Sequence, residues 1–155
     1  MIRPATAADC EAVTAIAHSA FELYLGRMDK KPAPMTENYA ELISQNRVFV
    51  LEALAEGANA GAAPAIAGFL VLLPEEAAML LDTVAVAPEA QGKGYGKKLL
   101  LFAESEARAA SYGSIRLYTN EVMSENLGLY AHLGYVETHR ASEGGFNRVF
   151  MVKEL

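Results

Sequence analysis

The residue types and spacing that most suggest chemistry are Gln91, Gly92, Gly94 and Gly96, within VAVAPEAQGKGYGKKLL from Val84 to Leu100. Missing side chains let successive backbone N–H groups turn inward, and the start of a following helix adds partial positive charge. The run is therefore suited to cradling a diphosphate. Lys93, Lys97 and Lys98 place three of the chain's 13 basic residues in the same stretch. Two familiar phosphate motifs fail on spacing. A G-x-G-x-x-G fingerprint would need glycine where Lys97 stands, and no carboxylate near Tyr112 awaits a ribose hydroxyl. A G-x-x-x-x-G-K-[ST] loop fails because Gly96-Lys97 is followed by Lys98, and no earlier glycine stands at the required distance. What remains is Q-x-x-G-x-G between a strand and a helix, to be weighed against a plain tight turn.

Those residues need elements to hold them. MIRPATAADCEAVTAIAHSAF reads as an extended segment and then a helix, with Thr6 as cap, Asp9 three residues on, and apolar Ala12, Val13, Ile16 and Ala20 at helical spacing. Two prolines between Asp29 and Met35 interrupt the pattern, and TENYAELISQ restarts it with Thr36 as cap. RVFVLEAL and AIAGFLVLLP read as strands joined by a loose loop around Gly57 to Pro64. A third strand covers about Ala78 to Ala87 and ends at Pro88, which has no N–H. From Gly94 a helix runs through Leu99, Leu100, Ala103, Ala107 and Ala110 and stops at Gly113. SIRLYTN is a strand, SENLGLYAHLG a short helix capped by Ser124, and YVETHR with FNRVFMVKEL an antiparallel pair turning around Glu143 to Gly145. The order is β α α β β β α β α β β, in which only the strands flanking the glycine-led helix need be parallel.

Composition narrows the function classes. With 155 residues, 52% apolar and 21% charged, the chain reads as one folded domain, 1–155. A net charge of −6 argues against nucleic acid, which favours a basic face. The longest apolar stretch, around Ala65 to Leu73, is too short for a bilayer, so no membrane partner is expected. Arg3, Pro4 and a helix start directly after Met1 argue against a secretory leader, and the single Cys10 has no intrachain partner. A cytoplasmic protein is expected, with Cys10 packing as a small apolar residue. His18, His132 and His139 form no ligand pattern, so no metal is implied.

With these elements in place, LDTVAVAPEAQGKGYGKKLL followed by NLGLYAHLGY resembles the GNAT superfamily of acetyl-CoA-dependent N-acetyltransferases. The likeness is specific over residues 78 to 140, while the first seventy residues match only in their order of elements. It implies an α/β (α+β) GNAT acyl-CoA N-acyltransferase fold, a mixed and mostly antiparallel central sheet of about seven strands flanked by about four helices. It also implies a transferase moving acetyl from acetyl-CoA to a primary amine, expected to belong to a small molecule, by direct attack in a ternary complex. Acetylation of a protein or peptide amine, or acyl-CoA sensing without turnover, are the alternatives, and a covalent Cys10 route is the lesser mechanism. A homodimer is expected from the resemblance alone.

Carried over residue by residue, the resemblance makes the backbone of Val84, Ala85 and Val86 a partner of the pantetheine arm, provided SIRLYTN splays away. It sets the pyrophosphate on the N–H groups of Gln91, Gly92, Lys93, Gly94, Tyr95 and Gly96, with Lys93 and Lys97 as nearby charges. Tyr130, in L-x-L-Y-x-x-L-G-Y, matches a tyrosine that protonates the leaving thiolate, a transfer expected to be favourable from a phenol beside the sulfur. Asn126, four residues earlier on the same helical face, would bond the cofactor arm or order Tyr130, or simply stay solvated. Tyr135 is expected to fill the core. Asp82 is the candidate general base, with Glu76 and Glu121 as competitors, and a backbone N–H near Val84 would meet the oxyanion. The acceptor site falls to FELYLGRMDKKPAPMTENY and the Gly57 to Pro64 loop. There Phe21, Tyr24, Arg27 and Tyr39 would form an aromatic wall with one guanidinium for a carboxylate or phosphate, though Phe21 and Tyr24 equally continue a buried helical stripe.

Overall fold

Apolar runs bounded by glycine and proline decide where strands form in this chain. In the computed structural model, which describes residues 1–55 and 57–155, the elements are β1 (Ile2–Pro4), α1 (Cys10–Phe21), α2 (Tyr39–Ser44), β2 (Val48–Ala53), β3 (Ala65–Pro74), β4 (Met79–Val86), α3 (Tyr95–Ala109), β5 (Ser114–Asn120), α4 (Ser124–His132), β6 (Val136–Glu143) and β7 (Phe146–Glu154). The element order read from the sequence is the order found. The strands form one seven-stranded sheet, β1-β2-β3-β4-β5-β7-β6. Its neighbours are antiparallel except for β4 and β5, whose crossover is α3.

β3 is the centre of the core, with every residue from Ala67 to Leu72 buried. Successive strand residues face opposite sides, so burying all of them requires cover on both faces. Tyr39 of α2 meets Phe69 edge-on at 5.3 Å on one face. Leu99 of α3 covers Gly68 on the other, where an added Cβ would lie 3.1 Å from Leu99 Cδ1 and 2.8 Å from the Ala85 carbonyl oxygen. Glycine at position 68 therefore sets how closely α3 approaches the sheet.

Three helix ends differ from expectation. The α2 cap is Asn38, whose Oδ1 accepts from Glu41 N–H at 3.2 Å; Thr36 lies in a preceding 3-10 turn and donates to the Ala33 carbonyl. The cap position of α4 is Met123, and Ser124 is already the first helical residue, its hydroxyl donating to Glu125. α3 ends before Gly113. Ser111 takes the left-handed conformation (φ 67°), its N–H donating to the Arg108 carbonyl and the Tyr112 N–H to that of Ala107. Both bonds of this Schellman closure are made at Ser111 and Tyr112, leaving Gly113 outside it. Thr6 does open the first helical segment as expected, its N–H donating to Asp9 at 2.7 Å, while Arg3 grips the same carboxylate at 2.8 Å.

Two irregularities in the sheet create the functional region. β4 and β5 pair only at Met79/Ile115, Leu80/Arg116 and Leu81/Leu117, after which they part. The β3–β4 register also slips, from Val71/Thr83 to Leu72/Leu81, which leaves Asp82 as the extra residue of a bulge. A bulge bends and twists its strand, and this one sits where the two strands separate.

Candidate active site

The gap left by β5 exposes one edge of β4. Ala87 N–H donates to the Ala67 carbonyl at 2.8 Å, so Ala87 and, by antiparallel alternation, Ala85 spend their backbone groups on β3. Val84 and Val86 consequently turn theirs to the open side. A cleft of about 350 Å³ runs along that edge to the start of α3, lined by Val84, Ala85 and Val86, then by Gln91, Gly92, Gly94, Tyr95 and Gly96. Gly92 and Gly94 have φ of 83° and 82°, a conformation that costs a side-chain-bearing residue about 1 kcal/mol or more. Gly96 has ordinary φ, and a Cβ there would meet nothing closer than Val86 at 4.0 Å, so backbone freedom is required at two of the three glycines. Gln91 turns its side-chain amide back to the Val86 carbonyl at 3.2 Å, tying the loop to the strand end.

A second, smaller cleft of about 110 Å³ lies on the other side of the splay, between β4, β5, the segment after α1 and the β6–β7 hairpin. Its polar centre is Asp82, which accepts a hydrogen bond from Tyr118 Oη at 2.9 Å. Burial first, then the Asp82 charge and this bond, push the Tyr118 phenol up to about 12. Arg148 stacks on the same ring with its guanidinium carbon 4.4 Å from the centroid. Met28, Pro32 and Phe146 supply apolar walls.

The clefts meet at Phe21, Val84, Asn126 and Tyr130, which line both. Tyr130 is 7% exposed, and burial, with a smaller contribution from Tyr24, holds its phenol well above the usual value near 10. Its ring packs edge-on against Tyr135 at 5.9 Å, and Tyr135 is buried as expected.

Several candidates from the sequence lie elsewhere. Lys93 borders a separate apolar pocket with Leu54 and Ile66, and Lys97 lines neither cleft. Tyr24 lines the larger cleft, not the smaller one, and bonds Glu125 at 3.3 Å. Arg27 lies outside both, its Nη1 donating to Glu125 at 2.8 Å and to the Val122 carbonyl at 3.1 Å. Tyr39 is a core residue, 3% exposed, with its hydroxyl on the Pro34 carbonyl. Of the proposed aromatic wall, Phe21 alone reaches the smaller cleft. Glu76 is exposed in the β3–β4 turn, and Glu121 faces Arg140 at 3.8 Å; neither lines that cleft, and neither does any residue of the Gly57 to Pro64 loop. Tyr118 and Arg148 were missed. The alternation of SIRLYTN marks Tyr118 as facing away from Leu117, but nothing local says that the face it shares with Asp82 becomes a cleft.

No group of three or more metal-binding side chains occurs among the described residues, and none of their helices is long and apolar enough to cross a membrane.

Comparison with known proteins agrees with this geometry. Mouse N-alpha-acetyltransferase 80 is 37% identical over 78 residues, 48% of this chain and 24% of that protein, so the chain spans about a quarter of its length. The PaiA N-acetyltransferase of Thermoplasma acidophilum, solved in complex with coenzyme A, superposes with a TM-score of 0.76 at 20% identity, over 100% of this chain and 98% of the other. A ribosomal-protein-alanine N-acetyltransferase from Brucella melitensis does so with 0.74 at 25% identity, over 100% and 99%. The family model described as acetyltransferase (GNAT) domain matches residues 44–137, a span that holds the open strand edge, the glycine loop and Tyr130, and the chain belongs to this GNAT acetyltransferase family.

Proposed function

We propose that the protein transfers acetyl from acetyl-CoA to a primary amine of a small molecule, by direct attack with both substrates bound. The observation that carries this reading is the meeting of the two clefts at Val84 and Tyr130. The larger cleft suits the donor: an unpaired strand edge offers N–H and C=O groups to an amide-bearing arm, as an added strand would. Beyond it, a positive-φ glycine loop at a helix N-terminus suits a diphosphate. The smaller cleft suits the amine, with Asp82 to attract an ammonium group.

When bound, acetyl-CoA supplies an acyl thioester at the junction of the clefts. Asp82, held by Tyr118, receives or relays the proton that the acceptor nitrogen loses. The outward N–H of Val84 is available to a developing oxyanion. Tyr130 remains protonated because of its burial. Passing that proton to a free thiolate is uphill by roughly 2 kcal/mol for an ordinary phenol and by more for a buried one, which corrects the expectation of a favourable transfer. Tyr130 instead donates a hydrogen bond to the sulfur as negative charge develops on it. Cys10, half-buried on α1, lines neither cleft, which disfavours a covalent route. A lone half-buried thiol also suits a reducing compartment such as the cytoplasm.

The test is calorimetric titration with acetyl-CoA, using ADP as a control, followed by thiol release in the presence of amines. Tight binding selective for acetyl-CoA with amine-dependent thiol release is expected. Binding without release for any amine would leave a sensor, and absence of binding would overturn the reading.

A further inference from the structure

We propose that the acceptor carries an anionic group a few atoms from its reactive amine, and that Arg148 is the residue that recognises it. This rests on the reading of the smaller cleft as the acceptor site. The sequence offered Arg27 as the guanidinium for such a group, but Arg27 is committed to Glu125 and the Val122 carbonyl outside the cleft. Arg148 of β7 lines the cleft instead. Its side chain is 20% exposed and lies 4.4 Å from the Tyr118 ring centroid and 5.5 Å from that of Phe146. These rings hold the guanidinium plane in place. Nη1 is bonded to Glu143 at 2.9 Å, at the exposed rim; among the described residues Nε and Nη2 have no protein acceptor. A stacked guanidinium with donors to spare is the group best matched to a carboxylate or a phosphate-like anion.

The same tyrosine joins the two charges. Tyr118 carries Arg148 on its face and bonds Asp82 through its hydroxyl; with the exposed Glu37 also on the lining, one small cavity presents two carboxylates and one guanidinium. A zwitterion meets charge of both signs. A polycation would place an ammonium group against the guanidinium, and a neutral alkylamine would leave the guanidinium's donors without an anion. Size points to a small acceptor. Lys30 Nζ donates to the Gly144 carbonyl at 2.6 Å, clasping the segment after α1 to the β6–β7 turn.

The experiment measures acetyl-CoA-dependent thiol release with acceptor pairs that differ by one carboxylate: L-phenylalanine against phenethylamine, and γ-aminobutyrate against propylamine. Spermidine and a tetrapeptide with an acidic N-terminal residue are added. The carboxylated member of each pair should have a kcat/KM higher by about 10-fold or more, since a site built for a polar group rejects the analogue lacking it. Arg148→Gln should bring that ratio to about 1 and Arg148→Lys to an intermediate value, with acetyl-CoA affinity reporting that each variant is folded. The proposal is overturned if spermidine or the plain amines are preferred, if Arg148→Gln leaves the ratio unchanged, or if the peptide outruns the small acceptors. It is also overturned if acetyl-CoA binds but no carboxylated amine is acetylated. Loss of acetyl-CoA binding by the unmodified protein would instead sink the functional reading itself.

Discussion

The two clefts are built by opposite means. The larger follows a stretch that is nearly continuous in sequence, where an open strand edge at 84–86 runs within a few residues into a turn and a helix start, with residues around the end of α1 and on α4 completing its lining. The smaller is made of side chains from five separate places: the end of α1 with the segment after it, the β4 bulge, β5, α4 with its cap, and the β6–β7 hairpin. A site of the first kind recognises what its ligand shares with many others, amide and diphosphate groups, and it tolerates side-chain change as long as the backbone keeps its path. A site of the second kind can change its ligand by one substitution. The donor side is therefore the part expected to be fixed by the fold, and the acceptor side the part free to specialise.

Substitutions can break or sharpen that contrast. The largest effect is expected at the boundary. Tyr130→Phe should lower kcat by about 100-fold or more, the usual scale for losing a hydrogen-bond donor to developing charge, while acetyl-CoA affinity changes less than about 2-fold. Because burial keeps the phenol protonated, kcat of the unmodified protein should not fall between about pH 9 and pH 10.5, where an ordinary phenol would ionise. A downturn there that disappears in Tyr130→Phe would refute this. Next is Asp82→Asn, expected to reduce kcat/KM for the amine by about 10- to 100-fold with unaltered acetyl-CoA binding. An equal loss of donor affinity would erase the division between clefts.

Gly94→Val tests the converse. A β-branched residue at φ 82° carries strain of about 1–3 kcal/mol, so acetyl-CoA should bind roughly 5- to 100-fold more weakly while the KM for the amine holds. Unchanged donor affinity would remove the diphosphate assignment. The smallest catalytic effect is expected far from both clefts, at Asp9. Arg3 holds its carboxyl at about 2, below the free value of 3.8. A depressed carboxylate pKa stabilises the fold above pH 3.8, and that contribution is lost as pH falls toward 2. Asp9→Asn should cost on the order of 1–2 kcal/mol of stability near neutral pH, with kcat unchanged. Denaturant titrations should show the difference from the unmodified protein narrowing as pH falls from about 3.8 to about 2.

The element order was legible because each strand and helix carries its own periodicity, and the glycine loop because its residues are neighbours. The errors fell where a local signal had a close competitor. Thr36 and Asn38 are both good caps two residues apart, but the Thr36 hydroxyl is spent on the Ala33 carbonyl and the Asn38 side chain caps α2. Ser111 accepted a left-handed conformation, so Gly113 lost the role its type suggested. In the acceptor region Arg27 and Tyr39 had suitable chemistry and pointed elsewhere, while Tyr118 and Arg148 looked like ordinary strand residues.

By itself the sequence determined the seven strands and four helices, their order and a glycine-rich turn before α3, since these depend on contacts between residues close in the chain. Only the tertiary structure decided that β4 and β5 part after Leu81 and Leu117, that Asp82 sits in a bulge there, and that Arg148 rather than Arg27 joins it. Those outcomes depend on strand register and, for Arg148 and Asp82, on segments more than sixty residues apart, and a one-residue slip in either strand would turn every one of these side chains to the other face.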